Sequence, residues 1–149
     1  MIAFAIIDRL SILKTLFAEV WMTESVRDEC LAKSGVDAQR INISIVDGWL
    51  VVRSAGIQSK PLSPSLGSGE SDAIRFAMES PEDTLLIMDD RLARRYALSK
   101  GLNIVGTVRL LDLAEQRGVI ESAEQYIQEM VGFGYRISLD LLKKIRSES

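Results

Sequence analysis

The sequence predicts an α/β fold, a Rossmann-like three-layer α/β/α sandwich on a short parallel sheet. Two observations carry this reading. Short apolar runs suited to strands alternate with longer segments of helical period, which is the α/β pattern. One run, Leu85-Leu86-Ile87-Met88, is apolar throughout, as in a strand buried on both faces of a parallel sheet covered by helices. It runs into Asp89-Asp90, and a basic amphipathic helix pattern follows. Ligands of open α/β sheets gather where strands end and helices begin.

The 149 residues suit one domain with a sizeable core. With 47% hydrophobic and 26% charged residues, the composition is that of an ordinary globular protein. A formal net charge of −3 gives no global attraction to nucleic acid, so such binding needs a local basic patch. The single cysteine, Cys30, excludes an intrachain disulfide, and its helical apolar setting reads as a buried thiol. The absence of histidine removes His-dependent triads and His-ligated zinc. What remains is carboxylate chemistry, which suits magnesium or manganese. The longest uncharged apolar run, Ile2 to Ile7, ends at Asp8-Arg9, well short of a membrane span. It carries no basic leader or small-residue cleavage site, so a cytoplasmic protein is expected.

Taken in order, Ile2 to Phe17 reads best as one helix, because Ile6, Leu10, Leu13 and Phe17 share a face. The rival reading makes Ile2 to Ile7 a strand and Asp8 a site residue. Ala18 to Met22 reads as a short strand. Thr23 then caps a helix to about Lys33 that carries Val26, Glu29, Cys30 and Leu31. Asp37 is a candidate cap for a helix to about Val46, and Trp49 to Arg53 is a second strand. Ala55 to Ser68, with two glycines, two prolines and four serines, is a surface loop too short to divide domains. Gly67 to Asp72 opens a helix to about Glu79, with Ala73, Ile74, Ala77 and Met78 toward the core. After the Leu85 strand and its helix, Gly101 is a natural C-cap. Asn103 to Gly106 is another strand, Thr107 caps a helix to about Arg117, and Glu121 to Val131 is helical. Ser138 caps a last helix, Leu139 to Arg146.

A parallel sheet brings four acidic positions toward one another. These are Glu29, Asp72 with Glu70 beside it, and the pair Asp89 and Asp90. Glu70 and Asp72 also sit where a helix dipole favours negative charge, so capping competes with ligation there. Adjacent carboxylates at a strand end repel unless a cation lies between them. The glycines near Glu70 lack the Lys-Ser/Thr of a phosphate-cradling loop, and no dinucleotide fingerprint is present. Arg91, Arg94 and Arg95 follow the acidic pair, with Arg91 and Arg95 one turn apart. They read either as a phosphate-contacting patch beside the acids or as a solvated helix face.

The chain resembles PIN-domain proteins, in the PIN-like subgroup often found beside a small antitoxin gene. The residues that carry the resemblance are Thr23 to Glu29, Gly67 to Ile74, Leu86 to Ala97, Val105-Gly106-Thr107 and Gly132 to Ser138. It implies a magnesium- or manganese-dependent ribonuclease, with family acids falling on Glu29, Asp72 and Asp90 and accessory candidates at Glu70 and Asp89. In such sites carboxylates hold one or two metal ions that activate water and position the scissile phosphate. The family opens with a central strand ending in an aspartate, whereas Ile2-Ala3-Phe4-Ala5 matches the helix that follows that strand. The expectation is a sheet with two unsatisfied edges and a homodimer that covers them. Two functions follow: a toxin-type ribonuclease with RNA substrate and antitoxin partner, or a non-catalytic PIN-like binding protein.

Overall fold

Among the described residues four short strands form two separate parallel pairs. The computed structural model describes residues 1–54 and 60–137, with Lys143 and Ser147. β1 (Val20–Thr23) pairs with β2 (Leu50–Arg53) in the register Val20 with Leu50 to Thr23 with Arg53. β3 (Leu85–Ile87) pairs with β4 (Asn103–Val105) in the register Leu85 with Asn103 to Ile87 with Val105. Among the described residues no strand joins the pairs, so β1 and β3 each keep one edge without a strand partner.

Helices surround both pairs. They are α1 (Ile2–Ile6), α2 (Ser11–Leu16), α3 (Glu24–Leu31), α4 (Val36–Val46), α5 (Ser68–Glu79), α6 (Arg91–Ser99), α7 (Thr107–Gln116) and α8 (Ala123–Gly132). Neighbouring residues of β3 pack into different cores. Leu86 and Met88 join Ile74 and Ala77 of α5 and Ala93 and Ala97 of α6. Ile87 packs with the larger cluster of Phe4, Leu13, Val20, Met22, Leu50, Leu110, Leu111 and Ile127. Side chains of a strand alternate between faces, so this split places helix layers on both sides of the strands. The α/β class and the layered arrangement agree with the pattern in the sequence.

Several elements differ from the sequence reading. Ile2 to Phe17 is neither one helix nor a strand. It is two short helices broken at Asp8, whose φ is +57°. The Arg9 N–H donates to the Phe4 carbonyl across the break, and Asp8 meets Arg40 at 3.4 Å. Asp8 therefore pairs with α4 rather than standing in as a site residue. The apolar period survived the break because both pieces pack into the same core. The Leu85 strand is shorter than expected and not fully buried. Leu85 is 41% exposed, and among the described residues no strand pairs with the second edge of β3. Met78 is 46% exposed, outside the core face assigned to it. Gly35 and Gly106, not Asp37 and Thr107, occupy the N-cap positions of α4 and α7. The expected helix from Leu139 lies outside the described residues, apart from Lys143.

Between β1 and β3 lies a groove of about 540 Å³. The two strands form its sides, α5 contributes Ala73 and Phe76, and Met1, Leu13 and Phe17 come from the other helix layer. The Met88 N–H donates to the Val105 carbonyl on β4. Backbone groups of successive strand residues point to opposite edges, so the Ile87 N–H faces the groove. Amide exchange followed by NMR is expected to be much faster at Ile87 than at Met88. Equal protection of the two amides would contradict the open edge.

Candidate active site

The acidic residues fall in two places, the contact between α3 and α5 and the carboxyl end of β3. Thr23 ends β1 and caps α3, its hydroxyl accepting from the Val26 N–H at 3.3 Å. That start sets Ser25 and Glu29 one helical turn apart, so they lie along one face. The Ser25 hydroxyl donates to Asp72 of α5, a buried carboxylate that also meets Arg75 at 3.1 Å. Glu29 accepts from the Gly69 N–H at 3.2 Å, in the first turn of α5, where free N–H groups favour an anion. A Cβ at residue 69 would stand 2.7 Å from the Glu29 carboxylate, so this approach needs glycine there. Glu70 turns back onto the Gly67 N–H at 3.0 Å and closes the start of the helix.

At the end of β3 the two aspartates do different work. Asp90 caps α6, accepting from the Ala93 N–H at 2.8 Å. Asp89 accepts from the Thr107 N–H at 2.8 Å and the Thr107 hydroxyl at 2.6 Å, which ties the end of β3 to the start of α7. The Tyr135 hydroxyl joins this group, and burial first, then its contact with Asp89, pushes its pKa far above the usual phenol value. Gly106 fits beneath because a Cβ there would meet Arg94 at 2.8 Å and Asp89 at 3.3 Å. Arg94 itself donates to the Met88 carbonyl at 2.9 Å, so it holds the strand end in place, while Arg91 and Arg95 are exposed on the surface of α6.

The Met1 amine is buried near Cys30 of α3 and Asp89 at the end of β3. Burial lowers its pKa, opposed by the nearby Cys30 and Asp89. Cys30 is the buried thiol the sequence suggested, and burial raises its pKa, which keeps it protonated and unreactive. The carboxylates are hard oxygen donors of the kind that take magnesium or manganese. Their arrangement does not fit a metal centre in this chain alone. Among the described residues no three His, Cys, Asp or Glu side chains come together to hold an ion, and Glu29, Asp72, Asp89 and Asp90 each have a protein partner. Ser25, Gly69, Thr107 and Tyr135 lie in the segments that carry the family resemblance, but the sequence assigns none of them to the site and reads Thr107 only as a helix cap. The run Thr23-Glu24-Ser25 holds the one local signal, a cap followed by a second hydroxyl facing the same helix.

The contact between Glu29 and Gly69 gives a double-mutant test. Gly69→Ala is expected to cost about 1 kcal/mol, because Glu29 must swing away and the hydrogen bond is lost. In a Glu29→Ala background the same change becomes neutral or stabilising by up to about 1 kcal/mol, since alanine outperforms glycine within a helix. Urea melts of the four proteins measure this, and an unchanged cost in both backgrounds would rule out the contact.

A family model described as a PIN domain, DUF3368, matches residues 1–149. No curated protein and no solved structure matches the chain. PIN domains in general are nuclease-like and use divalent metal ions, in keeping with a site made of carboxylates. With the match spanning the whole sequence and the α/β layers in place, the chain belongs to the PIN-domain family.

Proposed function

We propose that the chain is a PIN-type ribonuclease domain that hydrolyses RNA phosphodiesters with Mg²⁺ or Mn²⁺. Glu29, Asp72 and Asp90 are its principal acids, and Glu70 and Asp89 are accessory. Arg91, Arg94 and Arg95 present positive charge to the RNA. In this reading it is a cytoplasmic toxin of a toxin–antitoxin pair, restrained by a small antitoxin protein. Among the described residues no helix is long and apolar enough to cross a membrane. Beyond family membership, one observation supports the reading. Asp89 and Asp90 follow β3 at its carboxyl end, the end where α/β sheets bind ligands.

A second reading, a non-catalytic PIN-like binding protein, is favoured by a different observation. Every one of these carboxylates already serves the fold, and no three of them converge among the described residues. The two readings part in one assay. The first expects end-labelled single-stranded RNA to be cut in millimolar Mn²⁺, with chelator and Asp90→Asn each lowering the rate by roughly a hundredfold or more. The second expects RNA to be bound and left intact. In either case Arg91→Gln with Arg95→Gln should weaken RNA binding and reduce the salt slope of log K by about 1.4, the loss of two phosphate contacts. A slope unchanged in that variant would take both arginines out of the interface.

A further inference from the structure

Asp89 is held by donors from two distant elements. The Thr107 N–H and hydroxyl, at the start of α7, reach it at 2.8 Å and 2.6 Å. The Tyr135 hydroxyl bonds to Asp89 and to Thr107. A phenol is protonated at neutral pH, so toward the carboxylate it donates. Tyr135 is itself fixed. Its N–H donates to the Met130 carbonyl at 3.0 Å, Gly134 turns the chain out of α8 with φ +96°, and the side chain packs against the larger core. The two Thr107 bonds anchor the start of α7. The bond from Tyr135 caps no helix, since it comes from the turn after α8. A carboxylate offers about four acceptor sites, and three donors leave one. Asp89 is nevertheless exposed, so a ligand can reach it.

We propose that Tyr135 is a positioning residue of the nuclease site, its hydroxyl fixing the Asp89 carboxylate at the carboxyl end of β3 in the direction that RNA hydrolysis requires. The inference rests on the nuclease reading and adds to it a residue that carries no charge. A working carboxylate must be held to within about 0.5 Å by neighbours whose own side chains are locked. With Thr107 alone, the carboxylate and the start of α7 can shift as a unit. The bond from Tyr135 ties that unit to the turn after α8. Tyr135 acts through Asp89 and itself touches no reacting atom.

Two readouts on the whole chain test this. In Tyr135→Phe, kcat for end-labelled RNA is expected to fall about tenfold, the loss of one hydrogen bond to a charged group, with KM unchanged. The Thr107 amide proton, which points at Asp89, should shift in the NMR spectrum of that variant without RNA. Ile41→Val, a change in the buried core on α4 that lowers stability outside this cluster, should keep the native kcat. That control separates a loss of rate from a loss of fold. An unmoved Thr107 amide would show that Tyr135 does not hold Asp89 and would overturn the proposal. A shifted amide with native kcat, a rise in KM alone, or an equal rate loss in Ile41→Val would overturn it too. A native chain that leaves RNA intact is a different failure. It removes the nuclease reading, and the positioning role with it, whatever the amide shows.

Discussion

Two strand edges facing each other across a groove are the constraint on which the rest of the molecule depends. Backbone N–H and C=O groups at a sheet centre are ordinarily paired, and leaving them open is costly. Among the described residues β1 and β3 each pair on one side only, and the helices hold the two pairs apart and covered. The larger core supports this spacing, since it joins α1, α2, α7 and α8 to residues of both strand pairs. Helix α5 bridges from the other face, with Trp21 against Phe76 and Leu86 in the same cluster as Ile74. Packing of helices against both faces thus maintains a layered α/β fold whose hydrogen-bonded sheet is not continuous.

The acidic residues inherit that division. Their local roles are strong enough to account for their positions. Ser25 with Asp72 and Glu29 with Gly69 fasten α3 to α5, while Asp89 and Asp90 anchor the starts of α7 and α6. A hydrogen bond to a charged group contributes about 1.5–3 kcal/mol, so these contacts matter to stability whatever the chemistry. The same placement keeps them at the carboxyl ends of the strands. The PIN-domain assignment and the absence of a three-ligand cluster among the described residues are therefore compatible. The fold places the acids in two groups, the α3–α5 pair and the strand-end pair, each with its own partners.

Much of the architecture was legible in the sequence, because it rests on local pattern. Thr23 as a cap, Cys30 as a buried thiol and the short strands before α3 and α6 follow from caps and apolar runs. The break at Asp8 was not legible. Its cause is tertiary: Arg40 of α4 donates to the Ala5 and Ile6 carbonyls and meets Asp8, thirty-odd positions away in the chain. The exposure of Leu85 was likewise hidden, since an apolar run does not reveal whether both edges of its strand are paired. For the site, the sequence named the acids but not their partners. The hydroxyls of Ser25, Thr107 and Tyr135 and the space left by Gly69 and Gly106 appear only once the helices are packed.

The most direct test of the divided sheet is the separation of β1 and β3 in solution. Strands that pair directly lie about 4.8 Å apart, and a strand-wide gap puts them about 10 Å apart. Nuclear Overhauser contacts between backbone protons read this difference without any substitution. The account predicts contacts between residues 20–23 and 50–53 and between residues 85–87 and 103–105, with none between residues 20–23 and 85–87. A ladder of backbone contacts joining Val20–Thr23 to Leu85–Ile87 would contradict it.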